Sequence, residues 1–284
     1  MSFNLSLMSR VKGVPTVDRL TDHSLGPTGD QAALLTVLPC PKLRGRMTRW
    51  HFNETNELVL AKFGRNQLEL VRPCIQSVSV RQWYAAYHYG EVCRLLDSFV
   101  TTQLAGASLL EVASDQYAVA SDDFNRFLLE AGAHVLACVQ CLHATADILA
   151  HVVYLALGMN LSAKPMKELD VSLLNVATRL RHEQPDSDVY RLLGDFNSGG
   201  HFDHLSALSN ISKHRSILRP SLDEDWTGAR LERHMLRIPS FSRLQKHYPE
   251  VTVKEFLEPE YNRCSKLVVD VGNALNTFLR TNTP

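Results

Sequence analysis

Residues 121–157 read SDDFNRFLLEAGAHVLACVQCLHATADILAHVVYLAL and contain no proline. Apolar residues recur along this stretch at alternating intervals of four and three, with one polar member at Thr145. The positions are Phe124, Leu128, Ala131, Val135, Cys138, Leu142, Thr145, Leu149, Val152 and Ala156. An average spacing of 3.5 residues is typical of the buried stripe of a long helix in an antiparallel bundle. Acidic residues after Ser121 favour a helix start and Gly158 favours a stop, so the stretch predicts one helix about 50 Å long.

The composition indicates an ordinary globular protein. The chain has 284 residues, with 30 Lys+Arg against 30 Asp+Glu, so its formal net charge is zero. Zero net charge argues against binding of nucleic acid over the whole surface, although it leaves room for a local basic patch. Charged residues make up 21% and hydrophobic residues 45%, which argues against disorder.

The compartment is predicted to be the cytoplasm. The six cysteines are scattered through a long chain, unlike those of a small disulfide-stapled secreted fold. The first twelve residues show no apolar run of signal-peptide length. The most apolar stretch, 136–157, carries Asp147, whose carboxylate would cost a few kcal/mol to bury in lipid. We therefore expect a core helix and no membrane span.

Outside residues 121–157 the pattern predicts a mainly α protein: an antiparallel helical bundle over 78–284, with a small N-terminal β-containing extension over 1–77. Alternation of Trp50 and Phe52 with polar residues predicts a β-hairpin whose strands are 46–53 and 57–63. Further helices are predicted at 80–104, 166–181, 188–196, 202–218 and 258–279. Residues 231–253 are ambiguous and have room for short strands around two prolines.

The segment most suggestive of chemistry runs from His201 to Arg215. On a helix, Asn210 and His214 lie one turn apart and can act on the same small group. Arg215 falls on the apolar side, where a guanidinium needs a carboxylate or several carbonyls. Residues 204–220 hold Lys213, Arg215 and Arg219 and no acid, so they form a local positive patch on a neutral protein.

A long helix, a break, and then a helix carrying Asn210-x-x-Lys213-His214-Arg215 resembles the HEPN superfamily over roughly residues 80–280. The resemblance implies a four-to-five-helix bundle, often a homodimer, with no cofactor. It also implies metal-independent cleavage of RNA in toxin–antitoxin, phage-defence or CRISPR systems, and with it an RNA substrate and an antitoxin or other protein partner. His214 matches the family histidine and Asn210 its polar residue, whereas the family arginine falls on Ser209.

The roles implied for these residues follow ordinary phosphoryl chemistry. Attack by the 2′-hydroxyl of RNA needs an acid or base with a pKa near 7, which His214 offers. Asn210 would position a phosphate, and Arg215 or Lys213 would stabilise the phosphorane charge in place of the missing arginine. Lys213 and Arg219 would also hold the substrate.

Two alternatives stay open at this point. In the first, the protein is a non-catalytic interaction module that keeps the bundle but lacks the arginine, in which Asn210 and His214 are both buried and satisfied inside one chain. In the second, His143, Asp147 and His151 on one stripe of the long helix bind a metal, because His and Asp one turn apart can chelate a divalent ion. Asp147 is equally a candidate for a structural ion pair with Arg215 or Lys213, which needs no metal.

Overall fold

A computed structural model describes residues 49–114 and 118–281, all of which fall within the same compact unit. The mainly α character is confirmed. The helices of the described residues are α1 (Phe52–Phe63), α2 (Arg65–Thr102), α3 (Leu109–Ala113), α4 (Ala118–Ala156), α5 (Leu173–Glu183), α6 (Asp188–Phe196), α7 (Gly200–His214) and α8 (Val253–Thr281). Short 3₁₀ turns at Met159–Leu161 and Glu168–Asp170 join α4 to α5.

Helices α2 and α4 form an antiparallel pair at the centre of the protein. Gln67 near the start of α2 donates to the carbonyl of Leu155 near the end of α4, at 2.5 Å. At the opposite end, the rings of Phe99 and Phe127 stack with centroids 4.5 Å apart. The predicted apolar stripe of α4 is buried from Ala131 to Ala156 and half-buried at Phe124 and Leu128, and Thr145 on it donates to the carbonyl of Cys141. The spacing of 3.5 residues therefore predicted this helix correctly.

Among the described residues, α4 is the one helix long and apolar enough to cross a membrane. Of its most apolar window, 56% is buried inside the protein. A buried core helix has the same composition, since both environments exclude charge.

The predicted N-terminal hairpin is wrong where the structure describes it, because residues 52–63 form α1. Trp50 lies just before this helix with its ring against Gly272 of α8. Its indole Nε1 donates to Thr55 Oγ1 at 2.8 Å, and that hydroxyl donates to Asn276 Oδ1 at 2.6 Å. The alternation thus arises because the single residue Trp50 is buried against α8, and it does not indicate a β-strand. The predicted boundary at residue 77 falls inside α2, and residues 1–48 lie outside the described part of the chain.

The β structure of the described residues lies between α7 and α8. Strands β1 (Ser221–Glu224), β2 (His234–Ile238) and β5 (Val251–Thr252) form an antiparallel sheet in the order β1-β2-β5. Strands β3 (Phe241–Arg243) and β4 (Lys246–Tyr248) form a separate hairpin. The short strands expected within 231–253 are therefore present, as β2 to β5.

The turn of the β3–β4 hairpin has an unusual sequence. Leu244 and Gln245 both have positive φ, at 49° and 63°. Two such residues make the left-handed turn that suits a two-residue hairpin, a turn normally built from Asn and Gly. Left-handed backbone costs other residues about 1–2 kcal/mol each. The hairpin therefore carries local strain.

Candidate functional site

Helix α7 presents a basic end to solvent. Its Leu205, Leu208 and Ile211 are buried, which fixes the helix on the core, whereas Lys213 and His214 in its last turn are exposed. The C-terminus of a helix carries partial negative charge, so cations are favourable there. The buried face of α7 thus fixes the position of Lys213 and His214, whose polar groups remain available to a ligand.

The β3–β4 hairpin packs beside this end of α7. Lys246 Nζ lies 2.5 Å from Asp203 Oδ2, an ion pair that ties the hairpin to the first turns of α7. The hydrogen bond from Lys246 is the main cause that lowers the pKa of Asp203. At the other end, Arg215 Nη1 donates to the carbonyl of Ser242 at 3.3 Å. These contacts bring Arg243 into the same region as the end of α7.

His143 of α4 is influenced by cations from both α7 and the β3–β4 hairpin. Its ring stacks on Phe202 of α7, with centroids 6.1 Å apart and planes 6° from parallel. Burial lowers the pKa of His143, and the positive charge of Lys213, with a smaller contribution from Arg243, lowers it further, against the opposing charge of Asp147. Lys213 of α7 and Arg243 of β3 are therefore both close enough to act on one imidazole.

We call Lys213, His214, Arg215 and Arg243 the basic surface. Arg219 is also exposed, but its neighbour Pro220 lies against Gly132, about 16 Å along α4 from His143, so Arg219 is not counted with them. No described acidic side chain forms an ion pair with any of these five residues. All except the half-buried Arg243 are exposed. On a protein of zero net charge, this is a local positive field with no internal compensation.

Arg215 does not take the position that was expected of it. The predicted helix over 202–218 ends at His214, so Arg215 lies outside the helix, at its C-cap, with φ −134°. It is exposed and contacts a backbone carbonyl, and it forms no buried salt bridge. Pro220 restricts only Arg219, the residue before it, so it does not explain why the helix ends as early as His214.

The single chain does not bring Asn210 and His214 onto a common target. Asn210 is half-buried, and its Nδ2 donates to the carbonyl of Ser206 within α7 at 2.7 Å. His214 is exposed, so the two do not pack against each other as a buried pair. Ser209, at the position of the family arginine, is fully buried, and its Oγ has no partner among the described residues. A cation at that position would therefore face the core.

The three candidates on α4 are committed to structural contacts. Asp147 Oδ1 accepts from the amide of Leu173 at 3.0 Å, which fixes the start of α5. His151 Nδ1 lies 3.0 Å from the backbone oxygen of Asp147, and His143 stacks on Phe202. Among the described residues, no group of three or more His, Cys, Asp or Glu is placed to hold a metal ion. The alternative ion pair of Asp147 with Arg215 or Lys213 is likewise not formed among the described residues.

Sequence reasoning missed the contribution of the hairpin. Arg243 and Lys246 lie either side of Leu244-Gln245, a pair without the Asn or Gly that marks a two-residue turn. The only available signal was the alternation of Phe241, Arg243, Lys246 and Tyr248 about that pair. Two surface grooves, with volumes of 540 and 470 Å³, border α6 and include none of the candidate residues.

No protein-family model matches the chain, and neither a curated protein nor a solved structure matches it significantly.

Proposed function

We propose that the chain is a cytoplasmic HEPN-like protein that acts on RNA, in RNA processing or in defence against foreign nucleic acid. RNA would bind at the basic surface. The observation that carries the proposal is the cluster of exposed cations at the end of α7, which has no acidic partner among the described residues.

The electrostatics of the surface favour a phosphate polymer. Lys213 and Arg243 both act electrostatically on the imidazole of His143, so their charges add in the region around it. Arg215 uses one N–H on a carbonyl and keeps donors for a phosphate, which guanidinium groups bind in a bidentate manner. Binding would also release the counterions condensed on the RNA.

The strained hairpin supports a binding role for this region. A protein that gains nothing from Leu244 and Gln245 at positive φ would be stabilised by Asn-Gly there. Backbone strain of this kind clusters at functional sites. Here it fixes Arg243 and Lys246 on opposite sides of the turn, beside α7.

Cleavage is the stronger form of the proposal, with His214 as acid or base. Its imidazole is exposed and would meet a bound phosphodiester, while Asn210 would have to leave Ser206 to contact the same group. The alternative function, a non-catalytic interaction module, is favoured by two observations: Ser209 is buried where an arginine is expected, and Asn210 is already hydrogen bonded.

Binding is tested with a labelled single-stranded oligoribonucleotide of mixed sequence and fluorescence anisotropy. The variant combines Lys213→Ser, Arg215→Ser and Arg243→Ser. We expect it to bind at least about tenfold more weakly than the parent, because three charge-assisted phosphate contacts are lost.

The matched control carries the same loss of charge elsewhere. Lys164→Ser, Lys167→Ser and Arg181→Ser change three exposed cations that lie outside the basic surface. This control should keep the affinity of the parent. Equal affinity for all three proteins would contradict binding at the basic surface.

Cleavage is tested on a pool of total RNA in EDTA. His214→Ala should abolish cleavage that the parent shows, and His182→Ala, another exposed histidine, should retain it. If the folded parent releases no more product than buffer, the catalytic form is wrong, and binding without cleavage supports the interaction module.

A further inference from the structure

Helix α2 contains a long stretch with very few charged side chains. Between Pro73 and Gly90 the only Asp, Glu, Lys or Arg is Arg81. Its guanidinium reaches α4, where Nη1 lies 3.8 Å from Cys141 Sγ. An exposed helix normally carries charged side chains on its outer face, so more than four turns with one charged residue, which is directed at α4, need an explanation.

The outer face of this stretch is aromatic. Val80, Trp83, Tyr84 and Tyr87 are exposed to 43%, 36%, 52% and 51%. Their spacing of three, one and three residues places them on one side of a helix. The other side of α2, which includes Val78, Ala85 and Ala86, is buried against the core. Contiguous exposed apolar surface of this kind marks an interaction site.

We infer that this face of α2 binds the same face of a second copy of the chain, in an antiparallel arrangement about a two-fold axis. The inference does not rest on RNA binding. With the axis between Trp83 and Tyr84, Trp83 of one copy opposes Tyr84 of the other. Val80 then opposes Tyr87, so every member of the aromatic face has an apolar or aromatic counterpart, as a two-fold interface requires.

Charge complementarity selects the antiparallel direction. Beyond the aromatic face, the same side of α2 carries Glu69 at one end and the ion pair of Glu91 with Arg94, 2.7 Å apart, at the other. In the antiparallel arrangement Glu69 of one copy lies opposite Ser98 of the other, about 6 Å along the helix from Arg94, a distance that the two long side chains can span. A parallel arrangement would place each glutamate against the same glutamate of the other copy, and these like charges repel each other.

The area fits a reversible dimer. An aromatic side chain buries 150–250 Å², so at the observed exposures the three rings leave on the order of 300 Å² uncovered per copy. With the flanking turns as far as Pro73 and Arg94, two copies would bury about 1,000 Å², the lower limit for a specific interface. We therefore expect a micromolar dissociation constant.

Sedimentation velocity from sub-micromolar to sub-millimolar concentration tests the inference with the full chain. The parent should pass from monomer to dimer with a micromolar Kd. Tyr84→Glu places two carboxylates at the axis and should raise Kd at least about thirtyfold, as loss of a hot spot does. Leu129→Glu, on an α4 residue that is 70% exposed, should leave Kd unchanged.

The direction of pairing has its own test. Glu69→Arg alone should weaken the dimer, because it sets two arginines against each other. Adding Arg94→Glu to the same chain should restore it. A parent that stays monomeric at every concentration would overturn the inference and leave the face to a different partner. Equal effects of Tyr84→Glu and Leu129→Glu would also overturn it.

Discussion

Substitution of Gly272 by alanine should destabilise the protein although it improves helix propensity. Gly272 lies in α8 directly beneath the ring of Trp50, and a Cβ built there would overlap that ring. Trp50 is 2% exposed and its indole hydrogen bonds to Thr55, so it has little freedom to move aside.

Alanine gains about 1 kcal/mol over glycine within a helix. Overpacking a core costs about 1–3 kcal/mol, and displacing Trp50 approaches the 3–5 kcal/mol of a Trp→Ala change in a core. Loss of the Trp50–Thr55 hydrogen bond adds about 1 kcal/mol. We expect Gly272→Ala to lower the free energy of unfolding by about 2–4 kcal/mol, the overlap outweighing the propensity.

Urea unfolding followed by circular dichroism measures the difference. Gly194→Ala in α6 is the matched control, since nothing lies within 4 Å of a Cβ placed there. It should be neutral or stabilise the protein by up to about 1 kcal/mol. If Gly272→Ala proves as stable as Gly194→Ala, the packing of Trp50 on α8 described above is wrong.

Three further predictions concern single contacts. Gln245→Gly should raise the free energy of unfolding by about 1 kcal/mol, because glycine tolerates positive φ; an unchanged urea midpoint would refute strain there. Asp147→Ala should lower it by about 1–2 kcal/mol through loss of the acceptor for Leu173, whereas Asp147→Asn, which keeps an oxygen, should lose less; equal losses would contradict this hydrogen bond. Hydrogen bonds, chiefly from Thr227, depress the pKa of Asp225 to about 2, so its contribution to stability is present above pH ~4 and lost as the pH falls through 2. Thr227→Ala should raise that pKa in an NMR titration, and an unmoved midpoint would refute the assignment.

The long helices could be predicted because their apolar spacing is sustained. Ten positions of α4 repeat at 3.5 residues, and α6 was placed at its exact bounds by a cap at Ser187 and a break after Phe196. Short segments gave a false signal. Two aromatic residues at Trp50 and Phe52 are too few to define a period, so tertiary packing decided in favour of α1.

For the candidate site, the exposure of the residues could be predicted, but their role stays a prediction. Lys213, His214 and Arg219 are exposed because they fall at or beyond the end of α7. The predicted position of Arg215 on the apolar face of the helix is wrong, because the helix ends at His214 and Arg215 no longer follows its periodicity. Arg243 could not be assigned to the site, since a hairpin that turns at Leu-Gln carries no sequence signature.

The salt dependence of RNA affinity tests the central claim most directly, because its slope counts the phosphates that the protein neutralises. For single strands, log K should fall with log salt by about 0.7 per phosphate contact. Removing Lys213, Arg215 and Arg243 together should therefore make the slope shallower by about 2, while the control with changes at 164, 167 and 181 keeps the slope of the parent. The same slope for all three proteins would contradict an RNA-binding surface at the end of α7.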